Sequence, residues 1–301
     1  MTTPQIGSNG KVSHLWPVAT LALAGSLWGT GFLFGKIALA DMTVSEDVAF
    51  RFLAGALVLS PIVLRHWKPY RGRELGMLLL ASAIGIPVQF LIQFQGLHLT
   101  TVSHASLIVG VLPVLLAVSS ALFLKERLGL LEWGALAFSA GGAVLIARSS
   151  MNATDGAHPT LHGDLLVLLS LLAAVALIVI SKRLIASHGA LPVTAATVIA
   201  GTVMLLVWVE LTRPVRFHFR TAIWGAAVAQ GLLATAGAYL FWNWGLARTP
   251  ASRAGVFLNL EPVVGAVLGV IVLHERLGKL AILGGALIIG AAIYFSLRPQ
   301  Q

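Results

Sequence analysis

The sequence predicts an all-α polytopic membrane protein, with ten transmembrane helices arranged as two inverted five-helix repeats around a central cavity. Three observations predict it. First, 57% of the 301 residues are apolar and only 10% are Asp, Glu, Lys or Arg, giving a mean hydropathy of +0.90. A soluble domain carries roughly 25% charged residues; this chain cannot coat itself against water. Second, the apolar residues fall into ten separate runs. Third, the second half of the chain repeats the first at a fixed offset.

Crossing the hydrocarbon core takes about 20 apolar residues in a helix. The runs that meet this need cover 16–39, 48–64, 75–95, 104–124, 130–147, 164–185, 191–211, 222–246, 252–273 and 280–297. Short breaks carrying charge, Pro or Gly separate them. The longest break, 148–163, is polar and turn-rich and divides the chain into near-equal halves. The expected organisation is a cytoplasmic N-terminal tail (1–15), a first five-helix repeat (16–148), a connecting loop (149–163), a second five-helix repeat (164–297) and a cytoplasmic C-terminal tail (298–301). The apolar run after the first tail is too long for a signal-peptide core and shows no A-x-A-like cleavage site, so it reads as a retained helix.

The net charge of +9 does not point to nucleic acid, because the basic residues lie in small groups between apolar runs, where they set topology. With a cytoplasmic N-terminus, the inner side holds twelve: Lys11, Arg65, Lys68, Arg71, Arg73, Lys125, Arg127, Lys182, Arg183, Arg248, Arg253 and Arg298. The outer side holds six, Arg148, Arg213, Arg216, Arg220, Arg276 and Lys279. Both termini are therefore expected in the cytoplasm, with the chain in a bacterial inner (plasma) membrane. The first outer loop carries Asp41, Glu46 and Asp47 without Lys or Arg, whereas the Arg-rich loop at 213–220 counts against this orientation. There is no cysteine, which excludes disulfides and thiolate metal sites.

An offset of 149 residues aligns helices four and five with nine and ten without a gap. Gly96-Leu97 matches Gly245-Leu246; Thr100, Ser103 and Ala105 match Thr249, Ser252 and Ala254; Pro113-Val114 matches Pro262-Val263; Glu126-Arg127-Leu128-Gly129 matches Glu275-Arg276-Leu277-Gly278. Apolar composition alone does not place a mid-helix proline and a four-residue charged element in one register. Five helices per copy is odd, so the second copy must enter the membrane from the opposite side. Inverted repeats are a recurrent plan of secondary transporters, with the substrate near mid-membrane between the copies.

Trp28-Gly29-Thr30, Arg51-Phe52, the spacing from Ser103 to Pro113 and Glu126-Arg127-Leu128, echoed by Leu260-Glu261-Pro262 and Glu275-Arg276-Leu277, resemble the EamA-type family of the drug/metabolite transporter superfamily. The resemblance spans residues 16–297. It implies ten helices, a central cavity open to one side at a time, and export of amino acids and other small metabolites, as in the YddG-like exporters. Helix six lacks a Trp-Gly pair opposite Trp28-Gly29, so nothing carries over there.

Candidate site residues follow from the cost of polar groups in lipid. An ionisable side chain at a helix centre costs about 2.5–3.5 kcal/mol by insertion scales and faces protein or water. Glu261 is such a residue: a ligand for a substrate amine, a protonatable coupling group, or a structural acid beside the Pro262 kink. Pro113 and Pro262 each expose the carbonyl four residues earlier and suit gates or cavity-facing bends, or a static bend. Gln89 and Gln93, four apart, share one helix face; Tyr239, Trp242 and Asn243 share another. Amides opposite aromatic faces would form a cleft for a small amphipathic solute. Asn259, Ser106 and the Trp28/Phe32 pair complete the candidate lining, which is expected between helices three, four, eight and nine. Lys36 is expected to snorkel to the outer interface. Arg51 is expected to bond helix-end carbonyls or pair with Asp47. His98 and His104 read as ordinary loop histidines without metal spacing. Gly25-x-x-x-Gly29, Gly31-x-x-x-Gly35 and Gly265-x-x-x-Gly269 read as helix packing within the monomer.

The leading functional expectation is a secondary transporter exporting small metabolites by alternating access, foremost amino acids, including aromatic and apolar ones. The alternative solutes are lipophilic cations, drugs or another small metabolite. No P-loop points to ATP. A membrane enzyme would need clustered acids, a His/Glu metal set or an activated nucleophile, and none of these patterns occurs. A channel would favour a ring of polar groups from several subunits. The expected partners are thus a small-molecule substrate and membrane lipid, with no nucleic acid, no cofactor and no metal; a monomer is compatible with the reading.

Overall fold

The computed structural model describes residues 9–66, 69–112, 114–116, 118–119, 130–151, 159–212, 215–249 and 254–297. Among the described residues all regular structure is helical. In chain order the helices are α1 (Asn9–Ala38), α2 (Val44–His66), α3 (Arg73–Leu99), α4 (Val102–Val109), α5 (Leu130–Met151), α6 (Leu161–His188), α7 (Ala190–Thr212), α8 (Thr221–Leu246), α9 (Leu260–Val272, led in by a 3₁₀ turn over Gly255–Asn259) and α10 (Lys279–Leu297). Six of them, α1, α2, α3, α6, α7 and α8, are long and apolar enough to cross a membrane; shorter apolar helices mark the other four runs. The chain is therefore the all-helical polytopic protein that its composition predicts. Most helix starts fall within a few residues of the expected ones, but α1 begins at Asn9 rather than 16.

The helices start and stop where local chemistry directs. Thr43 and Glu46 form a reciprocal capping box at the start of α2: the Glu46 carboxylate accepts from the Thr43 backbone N–H at 2.8 Å, and Thr43 Oγ1 accepts from the Glu46 N–H at 3.3 Å. Thr101 and Thr160 cap α4 and α6 through their hydroxyls. Gly189, at a φ of 84° that favours glycine, ends α6 and lets α7 begin at the next residue.

Outward faces are apolar, with Leu57, Leu64, Leu131, Trp133, Val203, Val207 and Leu211 all exposed. In water so much exposed apolar surface would aggregate; against lipid it is the solvated surface.

Inside, the packing is symmetric under exchange of the halves. Corresponding helices pack on one another: α2 on α7, α4 on α9, α5 on α10. The cross pairs are matched too, α3 on α6 answering α8 on α1. Within α4 and α9 the contacts run in opposite directions, Ser103 lying at Gly269, Ser106 at Gly265 and Gly110 at Pro262. Gly142 and Gly284 bring α5 and α10 so close that a Cβ on either would lie 2.5 Å from the other's carbonyl oxygen. The three Gly-x-x-x-Gly motifs are used the same way inside the chain. Gly25 and Gly29 seat α1 on the backbone of α9, Gly31 and Gly35 meet Ala234, Phe94 and Gln230, and Gly265 and Gly269 receive α4.

Both third helices are interrupted. A π-helical segment covers Ile84–Val88 in α3 and Gln230–Gly237 in α8. With the 149-residue offset, 84–88 falls on 233–237, so the interruption recurs at the same repeat position. In α3, Pro87 accounts for it locally, since proline lacks an N–H and crowds the preceding turn. Single π-turns inside α-helices frequently accompany functional sites.

Candidate functional site

A cavity of about 930 Å³, including its open mouth, lies inside the helices. Its wall is drawn from α1, α2, α3, α4, α6, α7, α8 and α9, so it is broader than the expected cleft between the third, fourth, eighth and ninth helices. The repeat explains where it sits. Phe90 and Tyr239, Gln93 and Trp242, Phe94 and Asn243, Val109 and Leu258, and Leu112 and Glu261 are each 149 residues apart, and all ten residues line the cavity. Equivalent positions of the two copies thus face one space.

The cavity gathers Trp28, Phe32, Gln89, Gln93, Tyr239, Trp242, Asn243 and Glu261 from the sequence candidates. Two others do not line it. Ser106 is turned back on its own helix, its Oγ donating to the Val102 carbonyl at 2.7 Å, because its Cβ is needed to seat against Gly265. Asn259 is buried where the 3₁₀ turn meets α9, away from the lining. Pro262 packs against Gly110 of α4 rather than facing the cavity; Pro113 lies outside the described residues.

The walls are mostly apolar, with six aromatic side chains among the lining residues. Trp28 meets Tyr239 edge-on at 5.6 Å between ring centroids and Trp242 at 5.3 Å. Polar groups interrupt them at few points. Asn243 donates to Thr194 Oγ1 at 2.5 Å, tying α8 to α7. Among the described residues, Gln89 Oε1 and Thr197 Oγ1 are buried without a hydrogen-bond partner. A buried polar atom left unpaired costs about 1–3 kcal/mol.

Arg51 is the main residue that sequence reasoning misplaced. It does not pair with Asp47. Its Nε donates to Thr235 Oγ1 at 2.8 Å and its Nη2 to the Ala234 carbonyl at 3.3 Å, both in the π-helical segment of α8. Its guanidinium lies over the rings of Phe90, at 4.5 Å, and of Phe52 and Phe94, both at 5.3 Å, on the cavity wall. The available signal was an arginine seven residues into an apolar helix, about 10 Å deep at 1.5 Å per residue. Thr194 and Thr197, three apart on α7, and Pro87 on the amide-bearing helix were equally legible and passed over.

One end of the molecule is held by a polar network. Lys36 does not snorkel outward; its Nζ donates to the Leu97 carbonyl at 2.8 Å and the Thr100 carbonyl at 2.5 Å, which caps the C-terminus of α3 with a cation. Thr100 Oγ1 donates to Asp164 Oδ1 at 2.6 Å, and Asp164 Oδ2 lies 3.2 Å from His104 Nδ1. His104 is thus a buried interhelical residue, unlike His98, which is exposed as expected. Glu275 accepts from the backbone N–H groups of Val102 and Ser103, each at 2.8 Å. The Glu-Arg-Leu-Gly element of the second copy therefore caps the fourth helix of the first. At the same end Arg216 donates to Glu46 through Nε at 3.0 Å and Nη2 at 2.8 Å, and to the Asp41 carbonyl at 2.6 Å. The acid-rich first loop and the Arg-rich loop are neighbours, and the hydrogen bonds that Arg216 donates to Glu46 raise the Arg216 pKa above its ordinary value. The cavity lies toward the other end: Thr194 stands four residues from the start of α7, and Leu246 ends α8.

The signature of the EamA-like transporter family matches this sequence twice, over residues 15–148 and 161–297. The chain belongs to that family. This EamA-like transporter spans the membrane several times. An uncharacterized transporter of Archaeoglobus fulgidus is 25% identical over 93% of this chain and 98% of its own length. A protein of Streptantibioticus cattleyicolor named "probable terminal-alkyne amino-acid exporter" is 30% identical, covering 94% of this chain and 90% of its own. A "probable biotin transporter" of Pseudomonas aeruginosa is 28% identical over 88% and 92%. One solved crystal structure superposes with a TM-score of 0.66 over 92% of this chain and 94% of its own; at 20% identity it speaks for the fold alone.

Proposed function

We propose that this EamA-like transporter is a secondary carrier that exports small amphipathic metabolites, foremost amino acids with apolar or aromatic side chains, by alternating access. The observation that carries the reading is the cavity itself: equivalent positions of both halves line it, its walls are largely apolar with an aromatic cluster, and an acid and a base, Glu261 and Arg51, both face it. A zwitterion on an apolar body matches that lining. Arg51 disfavours the alternative of a lone lipophilic cation, which would meet like charge in a low-dielectric space. The names of two relatives support the same chemistry, since amino acids and biotin both carry a carboxylate on a largely apolar body.

The halves are read as inverted repeats, supported by the antiparallel contacts of α4 with α9. The two copies then supply two arrangements of similar energy. Here the network end is closed and the cavity reaches toward the other. With both termini cytoplasmic, as the loop Lys and Arg favour, this is the arrangement that loads from the cytoplasm of a bacterial cell. The test is uptake and exchange of labelled amino acids in proteoliposomes, with and without an imposed pH gradient. Exchange above empty vesicles is expected. No accumulation or exchange of any amino acid removes the substrate assignment.

A further inference from the structure

Arg51 is fully enclosed yet lines the cavity, and its hydrogen-bond partners are neutral: one hydroxyl and one backbone carbonyl. Among the described residues neither Asp47 nor Glu261 comes within ion-pair distance of it. A guanidinium has five N–H donors; two are tied here. The tied pair and the three aromatic rings around it fix the plane of the group. The remaining donors are held in place before any solute arrives, so binding sacrifices little side-chain freedom. A buried cation with neutral partners and spare, oriented donors is a site for a carboxylate, which arginine grips through two parallel hydrogen bonds.

We propose that Arg51 is the carboxylate anchor of the substrate site, and that the cavity selects carboxylates with an apolar body. This rests on the transport reading of the cavity and deepens it by naming the group that must be present on the solute.

The test is thermal unfolding of the purified full chain in detergent with three probes of one apolar body: L-phenylalanine, 3-phenylpropionate and phenethylamine. A ligand that binds only the folded state raises the melting temperature, and at a fixed concentration raises it more the tighter it binds. In the unmodified protein phenylalanine and 3-phenylpropionate stabilise and phenethylamine does not. In Arg51→Gln the affinity for both carboxylates falls about 10–100-fold, the loss of one charge-assisted pair. The probe series in the unmodified protein keeps the proposal falsifiable if the variant folds poorly. Phenethylamine stabilising as well as the carboxylates, neither carboxylate stabilising, or a full carboxylate response in Arg51→Gln would overturn it. Failure of the two readings can be told apart. Phenylalanine exchange in proteoliposomes that survives Arg51→Gln leaves the transport reading and removes the anchor. Arg51-dependent carboxylate binding without exchange does the reverse.

Discussion

At the residue scale, the proposed substrate site makes separate predictions for single side chains. Glu261 sits beside Pro262 on α9, close enough to Arg51 for their charges to interact across the cavity. If it meets the substrate amine, Glu261→Gln keeps a hydrogen bond and loses a charge. Phenylalanine exchange should fall about tenfold, the worth of roughly 1.4 kcal/mol, while any transport of a monovalent lipophilic cation is abolished. Equal loss for neutral and charged solutes would assign the residue to folding. Lys36, Arg51 and His104 mark the limit of reading residues singly. Each reads locally as a surface or interfacial group, and each turns inward because its partner lies 60 or more residues away: Leu97 for Lys36, Thr235 for Arg51, Asp164 for His104. Periodicity and composition carry no information about such partners.

At the scale of elements, the helices were legible because lipid imposes a length and a composition on them. The π-helical segments were not, because a widened turn has no composition of its own; only Pro87 in α3 marks one. The Glu-Arg-Leu-Gly elements were visible as a repeat, but their use was not. Glu275 closes the network end by capping α4 across the repeat boundary. Glu275→Gln should weaken two charge-assisted bonds and destabilise the chain by about 1–3 kcal/mol, read as a lower melting temperature in detergent. An unchanged melting temperature would contradict the cap. Close approach of α5 and α10 makes a second prediction. Gly142→Leu would push a side chain into the Gly284 carbonyl. Overpacking of this kind costs about 1–3 kcal/mol, so the variant should melt earlier than Gly141→Leu, whose added Cβ meets open space. Equal melting of the two would argue against the α5–α10 contact.

For the whole molecule, the offset of 149 residues turns out to describe the cavity as well as the chain. Five pairs of equivalent residues face it, and in four of them the two copies differ chemically, as in Phe90 against Tyr239, Gln93 against Trp242 and Leu112 against Glu261. The repeat gives the architecture, and the departures from it give an asymmetric wall that can orient a solute. The duplication in the sequence therefore points to where the cavity lies, and eight of its lining residues were among the candidates read from the sequence. The sequence did not carry the contribution of α7, whose Thr194 and Thr197 were not among the sequence candidates.

The central claim is that this cavity passes solute by exposing it to one side at a time. Counterflow tests it most directly. Proteoliposomes are loaded with unlabelled phenylalanine and diluted into labelled phenylalanine at trace concentration. An alternating-access carrier exchanges one for the other, so label accumulates transiently inside above its outside concentration before declining. Label that only rises to the outside concentration, with no overshoot, would show a continuous pore and contradict the account.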